Sequence, residues 1–424
     1  MRIGIMLRSL DEKGGIGVYT RGILDELLDQ APEHTFVLFY RKAANLGRYA
    51  HLSHVTERVV RAPHRWLWDQ VAIPAACRRE GIDVLFHPKF TVPLAAPCPA
   101  VMVVHGADWF IPEQAQFYGA FDVFQIRRLM PRYFRKAARV ISVSELTTEN
   151  FNRVLGLPPG KVKTIYFAPA RHFRRVEDAT VLANVRARYR LPERYILTLT
   201  KLRGDGRKNF GGVLAGYRHL HEHHPRGGDQ ARGGEEDEAG GDAALGVSTT
   251  LPAPPALVVG GKDVERLRGP FGIPDAGWGK DVRFPGWIDQ EDLPAVYSMA
   301  SAYLYPSNLE AFPIPLTEAM ACGTPIVTSN RNGLEELAGD AALLVDPDDP
   351  EAVGEALAAI LRDPELADRL RRTGMARSAI FSWERCGRQT LEVLEEAGAR
   401  GSSIRPPTPQ VSGDPGSPTG DPAS

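Results

Sequence analysis

The chain has 424 residues, of which 43% are hydrophobic and 24% are charged, and its formal net charge is -1 at pH 7. This length exceeds what one hydrophobic core usually serves, so we expect two domains. The near-neutral charge gives no general attraction for nucleic acid, and no apolar run approaches the roughly 18 residues of a membrane span.

The N-terminus runs from Met1 straight into a short strand-like segment, without the apolar stretch and cleavage site of a signal peptide. We therefore expect a cytoplasmic protein. The four cysteines are far apart and form no paired metal-ligand spacing. This spacing predicts buried thiols and neither a disulfide framework nor a zinc site. We expect no cofactor.

Short β-branched apolar runs alternate with longer amphipathic ones over residues 1–175, which predicts a parallel sheet covered by helices. The predicted strands are Arg2–Leu7, Thr35–Tyr40, Asp83–Phe86, Ala100–Val104, Val140–Val143 and Val162–Phe167. The alternation restarts at residue 176 and predicts a second α/β domain up to residue 382. Its predicted strands are Tyr195–Thr200, Leu257–Val259, Val282–Phe284, Ala302–Tyr305, Pro325–Thr328 and Ala342–Val345.

Two stretches have the composition of unfolded chain. Residues 221–255 are rich in Gly, Glu, Asp, Ala and Pro and predict a flexible insertion, because they cannot bury enough apolar surface. Residues 401–424 are rich in Pro, Gly and Ser and predict a disordered tail. Between the second domain and the tail, residues 383–400 predict a helix that could cross back to the first domain.

Two glutamates, Glu310 and Glu318, follow the predicted strand Ala302–Tyr305 with seven residues between them. Ligands bind at the carboxyl ends of strands in open α/β sheets, and a helix that begins there favours phosphate. Carboxylates suit sugar and ribose hydroxyls because they accept several hydrogen bonds. For an isolated pair of glutamates, however, solvated surface residues would be the usual interpretation.

The surrounding sequence resembles the signature of the family 4 retaining glycosyltransferases, and the segment Glu318–Pro325 matches that signature completely. The resemblance implies a GT-B fold, in which two Rossmann-like domains with parallel sheets face each other across a cleft. It also implies that Glu310 binds the donor sugar, that Glu318 binds the ribose, and that the amides around Phe312 and Ile314 bind the sugar or the phosphates.

The sequence departs from the family pattern at Ala311 and Pro313, where glycine is frequent. Pro313 has no N–H to donate, so the identity of the donor sugar stays open.

Three basic residues, Arg203, Arg207 and Lys208, follow the predicted strand Tyr195–Thr200. By themselves they would indicate a solvated turn. The family places such an Arg/Lys-Asn element against the donor diphosphate, where fixed cations stabilise the charge that develops on the leaving group. We therefore expect all three residues at the diphosphate, with Lys208 and Glu310 contributing to catalysis.

The first domain offers a glycine loop and a histidine. Gly14 and Gly15 lie between the first strand and a helix; this is not the GxGxxG fingerprint, and glycines here often only permit a tight turn. The family has a similar loop that approaches the donor phosphates.

His105 ends the strand Ala100–Val104 and resembles the family's His-Gly or His-Asp element beside the donor sugar, which implies a catalytic role.

Five basic side chains lie close together without an acid between them: Arg127, Arg128, Arg132, Arg135 and Lys136. Apolar residues separate them, so the segment is either a solvated helix face or a helix that contacts an anionic membrane surface.

Two patterns imitate metal sites. The segment Asp346–Asp348 is similar to the DxD motif of other glycosyltransferases, but it precedes Pro350, where aspartate commonly caps a helix. Four histidines at positions 219, 221, 223 and 224 lack a second set of ligands. We predict no metal at either place.

The resemblance implies metal-independent, retaining transfer of a hexosyl group from a GDP- or UDP-sugar to a glycan or lipid-linked acceptor, in cell-surface polysaccharide synthesis. The fragments Trp68–Gln70 and Leu85–Pro88 look like those of mannosyltransferases, so mannose is the first expectation. The alternatives are a nucleotide-sugar epimerase or hydrolase of the same fold, and a non-catalytic nucleotide-sugar-binding protein.

Overall fold

The computed structural model describes residues 1–12, 14–116, 118–201, 206–224 and 253–402. These residues form two Rossmann-like domains, each with one parallel sheet covered by helices. The α/β fold class predicted from the alternating pattern is confirmed.

The first sheet has seven parallel strands in the order β3-β2-β1-β4-β5-β6-β7. The strands are β1 (Arg2–Met6), β2 (Thr35–Tyr40), β3 (Val55–Val59), β4 (Val84–His87), β5 (Ala100–Val104), β6 (Arg139–Ser142) and β7 (Val162–Thr164). The helices of this domain are α1 (Gly15–Gln30), α2 (Arg65–Leu67), α3 (Ile73–Glu80), α4 (Pro112–Ala115), α5 (Ala120–Lys136) and α6 (Glu145–Leu155).

The second sheet has six parallel strands in the order β10-β9-β8-β11-β12-β13. The strands are β8 (Tyr195–Leu199), β9 (Ala256–Gly260), β10 (Val282–Gly286), β11 (Ala302–Tyr305), β12 (Ile326–Ser329) and β13 (Leu343–Val345). The helices are α7 (Ala179–Tyr189), α8 (Phe210–His223), α9 (Leu293–Met299), α10 (Ile314–Ala321), α11 (Leu334–Ala338), α12 (Pro350–Arg362) and α13 (Pro364–Ser378).

Two strands of the first sheet differ from the prediction by more than one residue at an end. Strand β3 was not predicted, because its sequence VTERV is polar and only half buried. It is an edge strand whose parallel pairing with β2 compensates for its weak apolar pattern. The predicted strand Val162–Phe167 ends at Thr164, since Phe167 leaves the sheet and packs between the two domains.

Helix α14 (Trp383–Ser402) follows the second sheet in the chain but packs on the first domain. The Trp383 indole N–H donates to the carbonyl oxygen of Pro169 at 2.9 Å. The same ring lies against Gly22 of α1. The helix thereby ties the second domain to the first.

The insertion predicted over 221–255 begins too early. Residues 221–223 form the last turn of α8, where the His221 ring nitrogen lies 2.9 Å from the hydroxyl of the buried Tyr217. This packing extends the helix beyond the point where the apolar pattern fades. Residues 225–252 of the predicted insertion lie outside the described residues, as do the tail residues 403–424; α14 itself reaches Ser402.

Helix α5 of the first domain has one buried face, on which Tyr133 and Phe134 lie. On the other face, the side chains of Phe121 and Phe124 are 69% and 62% exposed. Among the helices that the structure describes, none has both the length and the apolar character needed to cross a bilayer.

Candidate active site

The two domains enclose an outer cleft of about 1440 Å³ at the carboxyl ends of their strands. Gly14 and Gly15 line it from the first domain, whereas Lys208, Glu310 and Glu318 line it from the second. An inner cavity of about 310 Å³ shares the Glu310 wall with the outer cleft. Ligand pockets usually measure roughly 300 to 1,000 Å³, so the outer cleft has room for more than one ligand.

Glu310 is held by three donors at one carboxylate oxygen. Its Oε1 accepts from Lys208 Nζ at 2.6 Å, from the Tyr305 hydroxyl at 2.7 Å and from the Ser307 hydroxyl at 3.2 Å. Lys208 follows β8 and Tyr305 ends β11, which are neighbours in the sheet. The sheet therefore brings together a cation and a carboxylate that are about a hundred residues apart in the chain.

The start of α8 fixes the backbone of Lys208. Asn209 adopts a left-handed conformation with φ of 46°, which asparagine tolerates better than most residues. Its side chain accepts from the Gly212 amide at 3.1 Å and donates to the Pro347 carbonyl at 2.8 Å. This cap holds Lys208 at the edge of the cleft.

Glu318 lies on α10 and is buried, with the Tyr297 hydroxyl donating to its Oε2 at 3.2 Å. Burial raises the pKa of Glu318 to about 7, although the Tyr297 hydrogen bond and the positive charge of Lys208 act in the opposite direction. The carboxyl group is therefore poised to ionise near neutral pH, and hydroxyl donors from a ligand would favour its charged form.

The glycine loop of the first domain touches the beginning of α10. Gly14 has φ of 107°, a conformation that favours glycine, and it precedes α1. A Cβ added to Gly15 would lie 3.4 Å from Ile314 Cδ1. Nearby, the rings of Phe312 and Phe167 stack across the domain boundary with centroids 4.0 Å apart. Donor-binding residues predicted in the first and in the second domain thus lie next to each other at the beginning of α10.

His105 lines the inner cavity from the end of β5. Its Nε2 lies 3.1 Å from the carbonyl oxygen of Pro88, to which it donates, and its ring packs edge-on against Tyr19 and Phe90. Burial lowers the pKa of His105 to about 4, so the imidazole is neutral at physiological pH. A neutral ring that donates from Nε2 retains Nδ1 as a hydrogen-bond acceptor.

Arg207 extends toward the first domain. Its guanidinium lies 4.0 Å from Asp108 Oδ2, donates to the Tyr118 hydroxyl at 3.3 Å and stacks over the Tyr118 ring. The side chain lines the inner cavity. Arg203, the third predicted cation, lies outside the described residues.

Several residues of the site were not predicted. Asp108, Trp109 and Tyr118 line the inner cavity, and Lys262 and Trp287 line the outer cleft. Asp108 could have been found, because it lies three residues after His105 at the same strand end. Trp109 directly follows it. The other three had no comparable signal, since only the packing of distant loops brings them to the cleft.

The segment Asp346–Asp348 is bound by an arginine. Arg331 donates to Asp348 Oδ2 at 2.6 Å and also to Asp346. The residue that caps α12 is Asp349, whose side chain accepts from the amides of the first helical turn at 3.0 and 3.1 Å. The cap therefore lies one residue beyond the segment that was expected to provide it.

Two family models match the chain. Residues 13–167 match the model described as Glycosyltransferase Family 4, and residues 250–377 match the model described as Glycosyl transferases group 1. Each of the two domains is thus matched over most of its length.

Curated relatives match shorter stretches. The O-antigen chain mannosyltransferase B of Escherichia coli is 39% identical over 119 residues, which cover 28% of this chain and 30% of the relative. The phosphatidyl-myo-inositol mannosyltransferase of Mycobacterium leprae is 32% identical over 167 residues, which cover 39% of this chain and 44% of the relative. The chain thus spans less than half the length of these relatives.

Solved structures share the fold over nearly the whole chain. Sucrose-phosphate synthase from Thermosynechococcus elongatus superposes with a TM-score of 0.65 at 22% identity, covering 94% of this chain and 99% of that one. WaaG, a glycosyltransferase involved in lipopolysaccharide biosynthesis, has a TM-score of 0.61 at 13% identity, covering 92% and 99% of the two chains. The expected GT-B architecture is confirmed, and with both domains matched by glycosyltransferase models the chain belongs to the family 4, group 1 glycosyltransferases.

Proposed function

We propose that this chain is a retaining, metal-independent glycosyltransferase that moves a hexosyl group from a nucleoside diphosphate sugar to an acceptor hydroxyl on a glycan or glycolipid. A mannosyl group is the first candidate, because the curated relatives include mannosyltransferases of O-antigen and of phosphatidyl-myo-inositol. The donor base is guanine or uracil. The pathway is cell-surface polysaccharide synthesis.

The proposal rests on the bonded pair of Lys208 and Glu310. Both side chains line the outer cleft, and Glu310 also lines the inner cavity. A diphosphate needs a fixed cation, and sugar hydroxyls need a carboxylate that accepts several hydrogen bonds. The pair provides both at one point. His105 supports the same site from the first domain through the unprotonated Nδ1 of its neutral ring.

The nucleoside part of the donor fits the second domain. Lys208, Glu318, Lys262 and Trp287 all line the outer cleft. Glu318 is positioned to accept from the ribose hydroxyls, and the indole of Trp287, which is 59% exposed, offers a surface on which a base stacks. The Gly14–Gly15 loop closes the diphosphate end of the cleft.

In the proposed reaction, the bond between the anomeric carbon and the leaving phosphate oxygen breaks. The acceptor oxygen bonds to the same face of that carbon, and its proton passes to the departing phosphate oxygen. Lys208 stabilises the charge on the diphosphate, and Glu310 orients the sugar. Movement of the two domains toward each other assembles these groups.

We further propose that the protein works in the cytoplasm at the inner face of a membrane. The exposed face of α5 has Phe121 and Phe124 at one end and continues with basic side chains. All five predicted basic residues are exposed: Arg128, Arg132 and Arg135, and also Arg127 and Lys136, which donate to the carbonyls of Trp109 and Ala96. Aromatic and basic side chains together suit a surface of anionic lipid.

The test is product analysis with purified protein. A panel of GDP- and UDP-sugars is incubated with membrane and glycan acceptors, and mass spectrometry and NMR identify the product and its anomeric configuration. We expect sugar attached to an acceptor with retained configuration, and loss of that product in Glu310→Ala and in Lys208→Ala. Unchanged transfer in both variants would refute the proposal.

The same assay separates the alternatives. An epimerase would return an altered nucleotide sugar, and a hydrolase would release free sugar without any acceptor. A non-catalytic binding protein would bind nucleotide sugars and leave them intact.

A further inference from the structure

Asp108 turns its carboxylate back over the strand end that carries His105. Gly106 has φ of 149°, and a Cβ added there would lie 2.7 Å from Asp108 Oδ1 and 3.2 Å from the Cβ of Ala311. The missing side chain at position 106 therefore leaves the space that the Asp108 carboxylate occupies. Because Ala311 neighbours Glu310 in the chain, this is also a point where the two domains meet.

The environment of Asp108 is that of a ligand-binding carboxylate. The residue is 9% exposed, and the Tyr118 hydroxyl donates to its Oδ2 at 2.6 Å. Arg207 lies 4.0 Å from the same oxygen, too far for a direct hydrogen bond. A carboxylate accepts about four hydrogen bonds, so the described contacts use only part of this capacity. Burial is the main cause that raises the pKa of Asp108, and the negative charge of Glu310 raises it further.

The inner cavity around Asp108 has the chemical character of a sugar site. Five Phe, Trp and Tyr rings line it; among them, Phe90 and Trp109 pack edge-on with centroids 5.2 Å apart, and Trp109 and Tyr118 are tilted with centroids 5.4 Å apart. Aromatic rings cover the apolar C–H faces of a sugar, whereas carboxylates accept from its hydroxyls. At about 310 Å³, the cavity suits one sugar ring rather than a whole nucleotide.

We propose that Asp108 is a second carboxylate of the donor-sugar site. It accepts hydrogen bonds from hydroxyls of the transferred hexose on the side of the first domain, while Glu310 does so from the second domain. Tyr118 orients the carboxylate. This inference rests on the proposed function, because it assumes a nucleotide-sugar donor.

The test compares the binding of a nucleoside diphosphate with that of the matching nucleotide sugar, measured by calorimetry. Asp108→Asn is nearly isosteric and removes the charge; Asp340→Asn, on an exposed residue, is the matched control. We expect Asp108→Asn to retain affinity for the diphosphate and to bind the nucleotide sugar roughly ten- to hundred-fold more weakly, as expected for loss of a hydrogen bond to a charged group. The control should bind both ligands as the wild type does.

Three results would count against the inference. Wild-type affinity of Asp108→Asn for the nucleotide sugar would overturn it. An equal loss of affinity for both ligands would also overturn it, because Asp108 would then act on the diphosphate through Arg207. Failure of the wild type to bind any nucleoside diphosphate would overturn the proposed function as well.

If Asp108→Asn does not fold, Tyr118→Phe replaces it. This variant keeps the ring and the Asp108 charge but removes the hydroxyl that orients the carboxylate. We expect weaker binding of the nucleotide sugar with unchanged binding of the diphosphate. Nucleotide sugars that each lack one hydroxyl give a further check. At least one of them should bind Tyr118→Phe and the wild type equally well, because it lacks the hydroxyl that binds Asp108. If the wild type binds every one of them more tightly than Tyr118→Phe does, the inference is wrong.

Discussion

Trp383 of α14 packs so closely on Gly22 of α1 that a Cβ added to Gly22 would lie 2.5 Å from carbon atoms of the indole ring. Ring carbons cannot approach a Cβ to this distance, so any larger residue at position 22 must displace the ring. The contact fixes where the last helix crosses to the first domain.

We predict that Gly22→Ala lowers the free energy of unfolding by about 1 to 3 kcal/mol, as overpacking does in other cores. In a helix without tertiary contacts, the same change would stabilise by up to about 1 kcal/mol. Gly211→Ala on α8 provides that comparison, because its nearest neighbour is 4.0 Å away at Phe271. Chemical denaturation measures both variants. A Gly22→Ala protein as stable as Gly211→Ala would contradict the close packing of Trp383 on Gly22.

The Lys208–Glu310 pair should give non-additive losses of activity. Each single change to alanine should reduce kcat/KM by roughly a hundred- to a thousand-fold, as observed when one preorganised charge is removed. Because each side chain positions the other, the double variant should lose less than the product of the two single losses. Lys280→Ala, on an exposed lysine, should leave kcat/KM unchanged. Strictly multiplicative losses would show that the pair does not act as a unit.

Glu318 should make stability depend on pH between about 4.5 and 7. Because burial raises its pKa to about 7, the folded protein binds more protons than the unfolded chain in this window. The free energy of unfolding must therefore fall as the pH rises, by up to about 3 kcal/mol.

Urea denaturation at several pH values measures this dependence. Glu318→Gln should remove the Glu318 contribution and flatten the profile, whereas Glu335→Gln, on an exposed residue of α11, should not. Parallel profiles for the wild type and Glu318→Gln would mean that the carboxyl group titrates normally in the folded protein.

The exposed face of α5 should bind anionic vesicles. A basic residue near such a surface contributes about 1 kcal/mol, so the double variant Arg128→Glu/Arg132→Glu should weaken binding at least tenfold. Arg369→Glu/Arg372→Glu makes the same charge change on exposed residues of α13. Co-sedimentation with vesicles of phosphatidylglycerol and of phosphatidylcholine alone measures the effect. Equal loss in both double variants would indicate a net-charge effect rather than a surface on α5.

Much of the fold followed from the sequence because burial imposes a local pattern. Strands such as Thr35–Tyr40 and Ala302–Tyr305 were predicted with their observed bounds, since continuous apolar runs mark strands buried on both faces. The edge strand β3 was not predicted, because a polar strand at a sheet edge has no continuous apolar run.

The two halves of the candidate site were predictable to different degrees. Glu310, Glu318 and Lys208 stand in motifs at strand ends, so their common location follows from the parallel sheet alone. The partners of Arg207 did not follow, because Asp108 and Tyr118 lie in the other domain, about ninety residues or more away in the chain.

By itself, the sequence determined two parallel sheets and a set of charged residues at their carboxyl edges, because hydrophobic periodicity and strand-end motifs are local properties. Only the tertiary structure decided how the domains meet: α14 crosses back, Gly106 leaves room for the Asp108 carboxylate, and Arg207 reaches Tyr118. Such contacts depend on shape and charge matching between distant segments, and no pattern within either segment encodes them.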